Sequence, residues 1–412
     1  MRIAIFTDSY YPMLNGVTVS IANLTKELRA LGHTVYIFAP KFDNYQDTEK
    51  DVYRLKAFKV ISSEPEVHMP IALPHQLVKE IQKHDFDIVH AHGNGFFSFL
   101  GYQVAKVKGV PFVLTFHTQL TEYMHYVFKG KIITPRMAAT ALRIWGNISD
   151  TVVTPSEKMK KELVSYRIKK PMVVVSNFIY PEKFQSEKKG FLHELCKIPK
   201  NSPILLSVGR LGKEKNFLFL LKAFQIVAQK DKLVHLVVVG GGEEANSIKN
   251  YADKLGLSQR VHFTGKIDQA NIPLAYADAE IFVFASLTET QGIVILEAAS
   301  SGLPFVVVKD GAYKHIIKTD VNGYQVPLNA SAFAQKVLYL LDNATVRDKF
   351  GAASKRIISE NFKPKKVAED MVAVYTATLA RRSRKRFTLR SLNKAALQRL
   401  YRNSEIFSRV FQ

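Results

Sequence analysis

The sequence holds a single cysteine, Cys196, among 412 residues. One thiol excludes an intramolecular disulfide and a zinc site built from cysteines, and it suits a reducing compartment. No apolar run approaches the roughly eighteen residues a membrane-spanning helix requires. The opening "MRIAIFTDSYYP" enters a strand pattern directly and lacks the regions of a signal peptide, so a cytoplasmic chain is expected. Acid is scarce as well: 36 Asp and Glu face 58 Lys and Arg, for a formal charge of +22. That excess predicts an anionic partner, whether nucleic acid, an anionic membrane face or a phosphate-bearing substrate. Zinc-finger spacing, an RNA-recognition signature and a basic zipper are all missing, so the expectation is no nucleic acid.

What is present is a globular composition, 47% hydrophobic and 23% charged, long enough for two domains. Short apolar runs alternate with helical periodicity. "RIAIFTD" is followed by Val19, Ala22, Leu24, Leu28 and Leu31 at helical spacing, then by "TVYIFAP", "FDIVHAHG", "PFVLTFHT", "DTVVTPS" and "PMVVVSN". Fully apolar strands separated by helices predict parallel sheets covered on both faces. "YPEKFQSEKKG" (Tyr180–Gly190) reads as a linker, after which "PILLSVGRL", "VHLVVVGGG", "RVHFTGK", "EIFVFAS" and "LPFVVV" restart the pattern. The expected fold is α/β, with doubly wound Rossmann-like domains over residues 1–185 and 186–362 and a helix with a basic tail over 363–412. Ligands are expected at the carboxyl ends of the strands, in the crevice between the domains.

The tail Arg381–Gln412 carries one acid, Glu405. On a helix, Leu389, Leu392, Ala396 and Leu400 form one stripe, with Arg390, Lys394 and Arg402 opposite. This suits an interfacial helix on an anionic membrane, and equally a packing helix with a solvated basic face.

Three stretches of the second half carry chemistry. "SVGRLGKEKN" sets Arg210 and Lys215 just past a strand end, where cations suit a diphosphate, although a surface turn has the same pattern. "VVVGGGEE" places three glycines after a strand, where a backbone can approach a ligand closely, but it is not a dinucleotide fingerprint. "LTETQGIVILEAASSG" follows another strand as a loop, becoming a helix from about Gly292, and carries Glu289 and Glu297. A carboxylate can hold a pair of sugar hydroxyls, and helix-start amides can meet a phosphate, so the stretch could grip a nucleotide sugar at both ends. A capping glutamate and an exposed helical one fit the pattern as well.

The E-x7-E spacing, with "GRLGKEKN" and "VVVGGGEE" before it and "SSGLPFVV" after it, closely resembles the family 4 retaining glycosyltransferases of GT-B fold, over essentially the whole chain. "YYPMLNGVTVSIANLTKELRALGHTVYIFAP" is similar to that family's glycine loop, here Asn15-Gly16-Val17, and first helix. The segment that usually reads Asn-Gly is here Asn177-Phe178. "EVHMPIALP", "HAHGNGFFSFLG" and "TFHTQLTEYMHYV" look most like the diacylglycerol glucosyltransferases within the family.

The resemblance implies UDP-glucose as donor, diacylglycerol as acceptor and a peripheral place on the cytoplasmic face of the cell membrane. It gives Arg210 and Lys215 the diphosphate, Glu289 the donor sugar and Glu297 the ribose. Gly16, Val17, Gly240, Gly292 and Ile293 join the donor side, Lys266 lies where the base is held, and His117 sits beside the sugar and the acceptor hydroxyl. It also implies front-side attack, with the leaving diphosphate taking the acceptor proton, and neither cofactor nor metal. A double displacement needs a carboxylate nucleophile, and no N-terminal acid stands out for it. "DFD" (Asp85–Asp87) reads as a helix-to-strand turn rather than a metal motif. His90 and His92 share one strand face, and His92 is expected to line the acceptor side. Lys79 and Lys83 on "LPHQLVKEIQKH", and Lys129, Lys131, Arg136 and Trp145 on "VFKGKIITPRMAATALRIWGN", are candidate membrane contacts. Rival readings are the same machinery on a glycosylated lipid, a wall-polymer precursor or another UDP-sugar, a UDP-sugar epimerase, or a non-enzymatic protein that binds anionic surfaces.

Overall fold

The computed structural model describes residues 1–61, 67–70, 81–117, 134–187 and 190–384. Lys79, Lys129, Lys131, Arg390 and Lys394 lie outside the described residues. The chain forms two compact units, one holding Met1–Asn177 together with the helix Pro364–Arg384, the other Phe178–Lys363. The hand-over therefore falls at Asn177, and Tyr180, the first residue of the stretch expected to be a linker, is buried, as are Phe178 and Ile179 before it.

In the first unit the strands are β1 (Arg2–Thr7), β2 (Thr34–Pro40), β3 (Val52–Leu55), β4 (Ala57–Ile61), β5 (Val67–Pro70), β6 (Ile88–His92), β7 (Phe112–Thr115), β8 (Thr151–Thr154) and β9 (Met172–Val174). Seven of them form one sheet in the order β3-β2-β1-β6-β7-β8-β9, and β4 pairs with β5 antiparallel. Every neighbouring pair of the large sheet is parallel. After Arg2, β1 is buried at every position, as it must be when helices cover both faces. A fully enclosed side chain such as Phe6, stacked on Phe38 with centroids 4.5 Å apart, contributes about 1.5–3 kcal/mol by leaving water.

The second unit repeats the plan with β10 (Ile204–Val208), β11 (His235–Val239), β12 (Val261–Gly265), β13 (Ile281–Phe284), β14 (Phe305–Val308) and β15 (Gly323–Val326). Its parallel sheet runs β12-β11-β10-β13-β14-β15. Two apolar clusters sandwich it, one built around Leu220, Phe224 and Phe333, the other around Tyr276, Phe282 and Tyr313.

In each sheet the strand order reverses once, between β1 and β6 and between β10 and β13. At such a switch point the loops leaving the two strands part to opposite faces and leave a ligand-sized crevice at the carboxyl edge. Register levels that edge in the first unit, where Thr7 pairs with His92 and His92 with Thr115.

The helix Pro364–Arg384 packs on the first unit. Tyr375 bonds His90 on β6 at 2.7 Å, Thr378 bonds Thr151 at 2.7 Å, and Arg382 pairs with Asp150 at 2.9 Å. Arg381 donates to the Thr151 hydroxyl at 2.7 Å. The basic segment that starts at Arg381 in the sequence thus begins with two arginines engaged in the fold, because each has an acceptor at the start of β8.

Candidate active site

The loop after β10 and the loop after β13, which flank the second switch point, carry four charged side chains that pair. Lys213–Lys215 forms a single 3-10 turn, which aims Lys215 at Glu289, and the two make an ion pair. Their side chains are only 14% and 11% exposed, so the attraction acts in a medium less polarisable than water. Arg210 donates to Glu214 at 2.7 Å. Glu214 was not singled out in the sequence, where "KEK" reads as a solvated turn, yet its side chain is almost wholly enclosed. The ammonium of Lys215 also lies 5.8 Å from the centre of the Phe284 ring, a contact favourable to a cation.

Gly292 follows with φ +78, a left-handed conformation that glycine adopts without cost. A Cβ there would lie 3.5 Å from Glu289 Oε2 and 3.2 Å from Ile295. The helix Ile293–Ser300 begins at once and presents Glu297 to Tyr276, whose hydroxyl donates to Oε2 at 2.8 Å. Burial raises the Glu297 carboxyl to about 7 against this bond. Neither glutamate is an exposed helical acid.

The glycines after β11 serve the neighbouring loop. A Cβ on Gly240 would fall 1.9 Å from the carbonyl oxygen of Gly209, and one on Gly242 would fall 2.4 Å from that of Leu211. They let the backbone that carries Arg210 pass close by, and Glu244 N–H donates to Leu211 O at 3.0 Å. A Cβ on Gly241 would meet only the Lys266 stem, at 3.5 Å. Lys266 itself is exposed just past β12.

At the switch point of the first unit, Asn15 caps the helix Gly16–Ala30 by accepting from the amides of Val17 and Thr18, each at 3.0 Å. The Val17 amide, expected on the donor side, is thus engaged in the cap. Asn177 accepts from Ser20 of the same helix at 2.6 Å, which gives the departing Asn-Phe pair a structural role. Asp8 follows β1 and accepts from the Phe97 amide at 3.0 Å at the start of the helix Phe96–Lys108. Desolvation lifts its carboxyl to about 6. The sequence offered no reason to select it.

His92, expected as acceptor lining, is instead buried and bonds His117 by Nδ1···Nε2 at 2.9 Å. His90 beside it is held by Tyr375 and, at 2.6 Å, by Thr115. Burial drives all three imidazoles down, His90 to about 3 and His117 to about 4, so the group is neutral at pH 7.

Of the candidate membrane contacts that are described, Lys83 and Arg136 are exposed. Trp145 packs edge-on against Phe99, 6.0 Å between centroids, and against the core. Its helix, Pro135–Ile148, exposes Met137 (53%) and Ile144 (57%) instead. Ile81 is fully buried, which makes it a core residue. Asp87 closes the turn into β6 by accepting from Arg2. Among the described residues no helix is long and apolar enough to cross a membrane.

Two parallel-sheet Rossmann-like units with charged loops at their switch points define a protein of GT-B fold. Sucrose-phosphate synthase from Thermosynechococcus elongatus superposes on it with a TM-score of 0.74 at 20% identity, covering 92% of this chain and 99% of that one. Residues 14–183 match the family described as "Glycosyltransferase Family 4", and residues 188–357 match "Glycosyl transferases group 1". The chain is 34% identical over 322 residues to the alpha-monoglucosyldiacylglycerol synthase of Streptococcus pneumoniae, covering 74% of this chain and 70% of that protein. It is 27% identical over 340 residues to the synthase of the same name from Acholeplasma laidlawii, covering 78% and 84%. The chain belongs to the family 4/group 1 glycosyltransferases.

Proposed function

We propose that this chain moves glucose from UDP-glucose to 1,2-diacylglycerol with retention, forming α-monoglucosyldiacylglycerol at the cytoplasmic face of the cell membrane. The observation that carries the reading is the Lys215–Glu289 ion pair at the switch point of the second unit. It supplies a cation for a diphosphate and a carboxylate for sugar hydroxyls at one crevice. The similarity to synthases of that name supports glucose and diacylglycerol in particular.

In this reading Lys215 and Arg210 take the charge that develops as the bond between C1 and the phosphate oxygen breaks, with its electron pair on the phosphate. The acceptor oxygen bonds C1 on the same face, and its proton passes to that phosphate oxygen. Glu289 holds the sugar hydroxyls and Glu297 the ribose, and the family resemblance gives His117 a contact with the sugar. The amides of Gly16, Gly292 and Ile293 face the donor, with Gly240 and Lys266 toward its base. The two cations supply the electrostatic help a metal ion would otherwise give, so the reaction runs without one. Exposed Met137 and Ile144, with exposed Arg136 just before Met137 on the same helix, favour contact with an anionic bilayer, as does the overall charge of +22.

A mass-spectrometric product assay tests this. Purified protein is given UDP-glucose, UDP-galactose or UDP-N-acetylglucosamine with diacylglycerol in vesicles, with and without anionic lipid. Monohexosyl diacylglycerol from UDP-glucose alone, increased by anionic lipid, is the expected result. Product only on a preformed glycolipid would move the enzyme to a later step, and interconversion of UDP-sugars without transfer would replace the reading by an epimerase.

A further inference from the structure

The loop that leaves β1 runs from Asp8 to Asn15 and leads into the helix Gly16–Ala30. Its tip is open to solvent, with Pro12, Leu14, Asn15 and Gly16 all exposed. The stem below that tip is tied down. Ser9 Oγ accepts from Asn15 Nδ2 at 2.6 Å. The buried Tyr10 donates its hydroxyl to Glu49 at 3.1 Å, and the Tyr11 carbonyl accepts from Arg54 at 2.6 Å.

Arg54 stands on β3, and its side chain is 13% exposed. The guanidinium grips the Asp47 carboxylate as a fork, Nε at 2.8 Å and Nη2 at 2.5 Å, and Nη1 donates to the Pro40 carbonyl at 2.8 Å. The rings of Tyr10 and Tyr45 lie beside it, their centres 5.6 and 5.4 Å from Cζ. Glu49 is held in turn by Arg29 at 3.0 Å, which also donates to the carbonyls of Val35 and Lys50. Residues 41–51 carry four acids, Asp43, Asp47, Glu49 and Asp51, in a chain of net charge +22, and two of the four serve this brace. A carboxylate fork together with two carbonyls requires a planar guanidinium, whose donors point outward from separate nitrogens. Those of an ammonium diverge from a single nitrogen and cannot span the same acceptors. Three of the four Arg54 bonds close the connection between β2 and β3. The fourth crosses to Tyr11, which that connection does not need, four residues before Asn15.

We infer that Arg54 is a positioning residue. By holding the Tyr11 carbonyl, while Glu49 holds Tyr10, it sets where the loop presents the Asn15-Gly16 turn to the donor. It acts through the loop and not on substrate. The inference rests on the placement of Gly16 on the donor side.

The test uses the full-length protein with UDP-glucose and diacylglycerol vesicles, rates being taken per folded molecule from a thermal melt. Arg54→Lys keeps the charge and loses the fork. It is expected to lower kcat/KM for UDP-glucose by about tenfold or more, while calorimetric affinity for UDP changes by less than about threefold. A brace that only stabilises would lower the melting temperature and leave kcat/KM unchanged, and that result overturns the inference. Tyr10→Phe keeps the ring beside Arg54 and loses the bond to Glu49, so kcat/KM should fall in the same sense by less. If Arg54→Lys does not fold, Tyr10→Phe decides alone, and unchanged kinetics overturn the inference. A double-variant cycle of Arg54→Lys with Gly16→Ala locates the effect. Losses that fail to add put the two residues on one path, whereas strictly additive losses again overturn it. Full activity in Gly16→Ala would instead remove the turn from the donor side, whatever Arg54 does.

Discussion

Lys215 and Glu289 stand 74 residues apart in the chain and meet as a nearly enclosed ion pair where the strand order of the second sheet reverses. The pair is formed before any substrate arrives. A donor that engages the two groups must therefore replace interactions the protein already makes, the diphosphate taking over the cation and the sugar hydroxyls the carboxylate.

Glu289→Gln and Lys215→Met should each lower turnover by about a hundredfold or more, since each removes charge from the site of bond breaking. Vesicle binding should stay the same. Each single change should also cost about 3 kcal/mol of stability by leaving an unpaired charge nearly buried, and the double variant should cost less than the two combined. Urea titrations and initial rates check both, and strictly additive losses would mean the pair does not act as one.

Gly240→Ala should lower stability by about 2 kcal/mol or more, because its Cβ has no room beside the Gly209 carbonyl. Turnover should fall with it as the Arg210 loop shifts. Gly241→Ala should stay within about 0.5 kcal/mol of wild type. A thermal melt of the three proteins separates a packing requirement from a general need for glycine.

The raised Glu297 carboxyl fixes the sign of a pH effect. Between 4.5, its ordinary value, and about 7, the folded chain keeps a proton that the unfolded chain releases, so this group's contribution to stability falls as pH rises through that window. Ribose hydroxyls favour the ionised form, so affinity for UDP should strengthen as pH passes upward through about 7. His90, His92 and His117 are neutral throughout that range. Calorimetric titration of UDP from about pH 6 to 8 should show the trend in wild type and lose it in Glu297→Gln. A flat wild-type profile would remove Glu297 from the ribose.

Removal of residues 385–412 should weaken binding to anionic vesicles, by about 1 kcal/mol for each basic residue that meets the surface, and less so at high salt. The cut spares Arg381 and Arg382, which the first unit needs. Co-sedimentation measures it. Unchanged binding would assign the contact to the helix bearing Arg136, Met137 and Ile144.

The two doubly wound units were legible because parallel strands buried on both faces leave continuous apolar runs such as "PILLSV" and "VHLVVV", with helical spacing between them. Arg210, Lys215 and Glu289 were legible as residues in loops after strands, and Glu297 as a residue of the helix that follows such a loop, their roles coming from the resemblance. Their partners were not. Glu214 hides in a charged triplet, and Tyr276 sits 21 positions from the glutamate it bonds. The contact between His92 and His117 depends on β6 lying beside β7, a matter of strand order that local pattern does not carry. Asp8 reads as a polar strand end until the helix at Phe97 is placed over it. Arg381 and Arg382 look like free cations because their acceptors, Thr151 and Asp150, come from the start of a strand some 230 residues earlier.

The return of Pro364–Arg384 to the first unit makes the second unit an insertion within the first. During synthesis, Phe178–Lys363 can finish folding while the N-terminal unit still waits for its last helix. Until Tyr375 and Thr378 leave the ribosome, His90 and Thr151 lack these partners. A premature stop within Pro364–Arg384 is therefore a lesion of the part made first, and the cell meets it as a half-folded nascent chain rather than as an enzyme with a shortened tail.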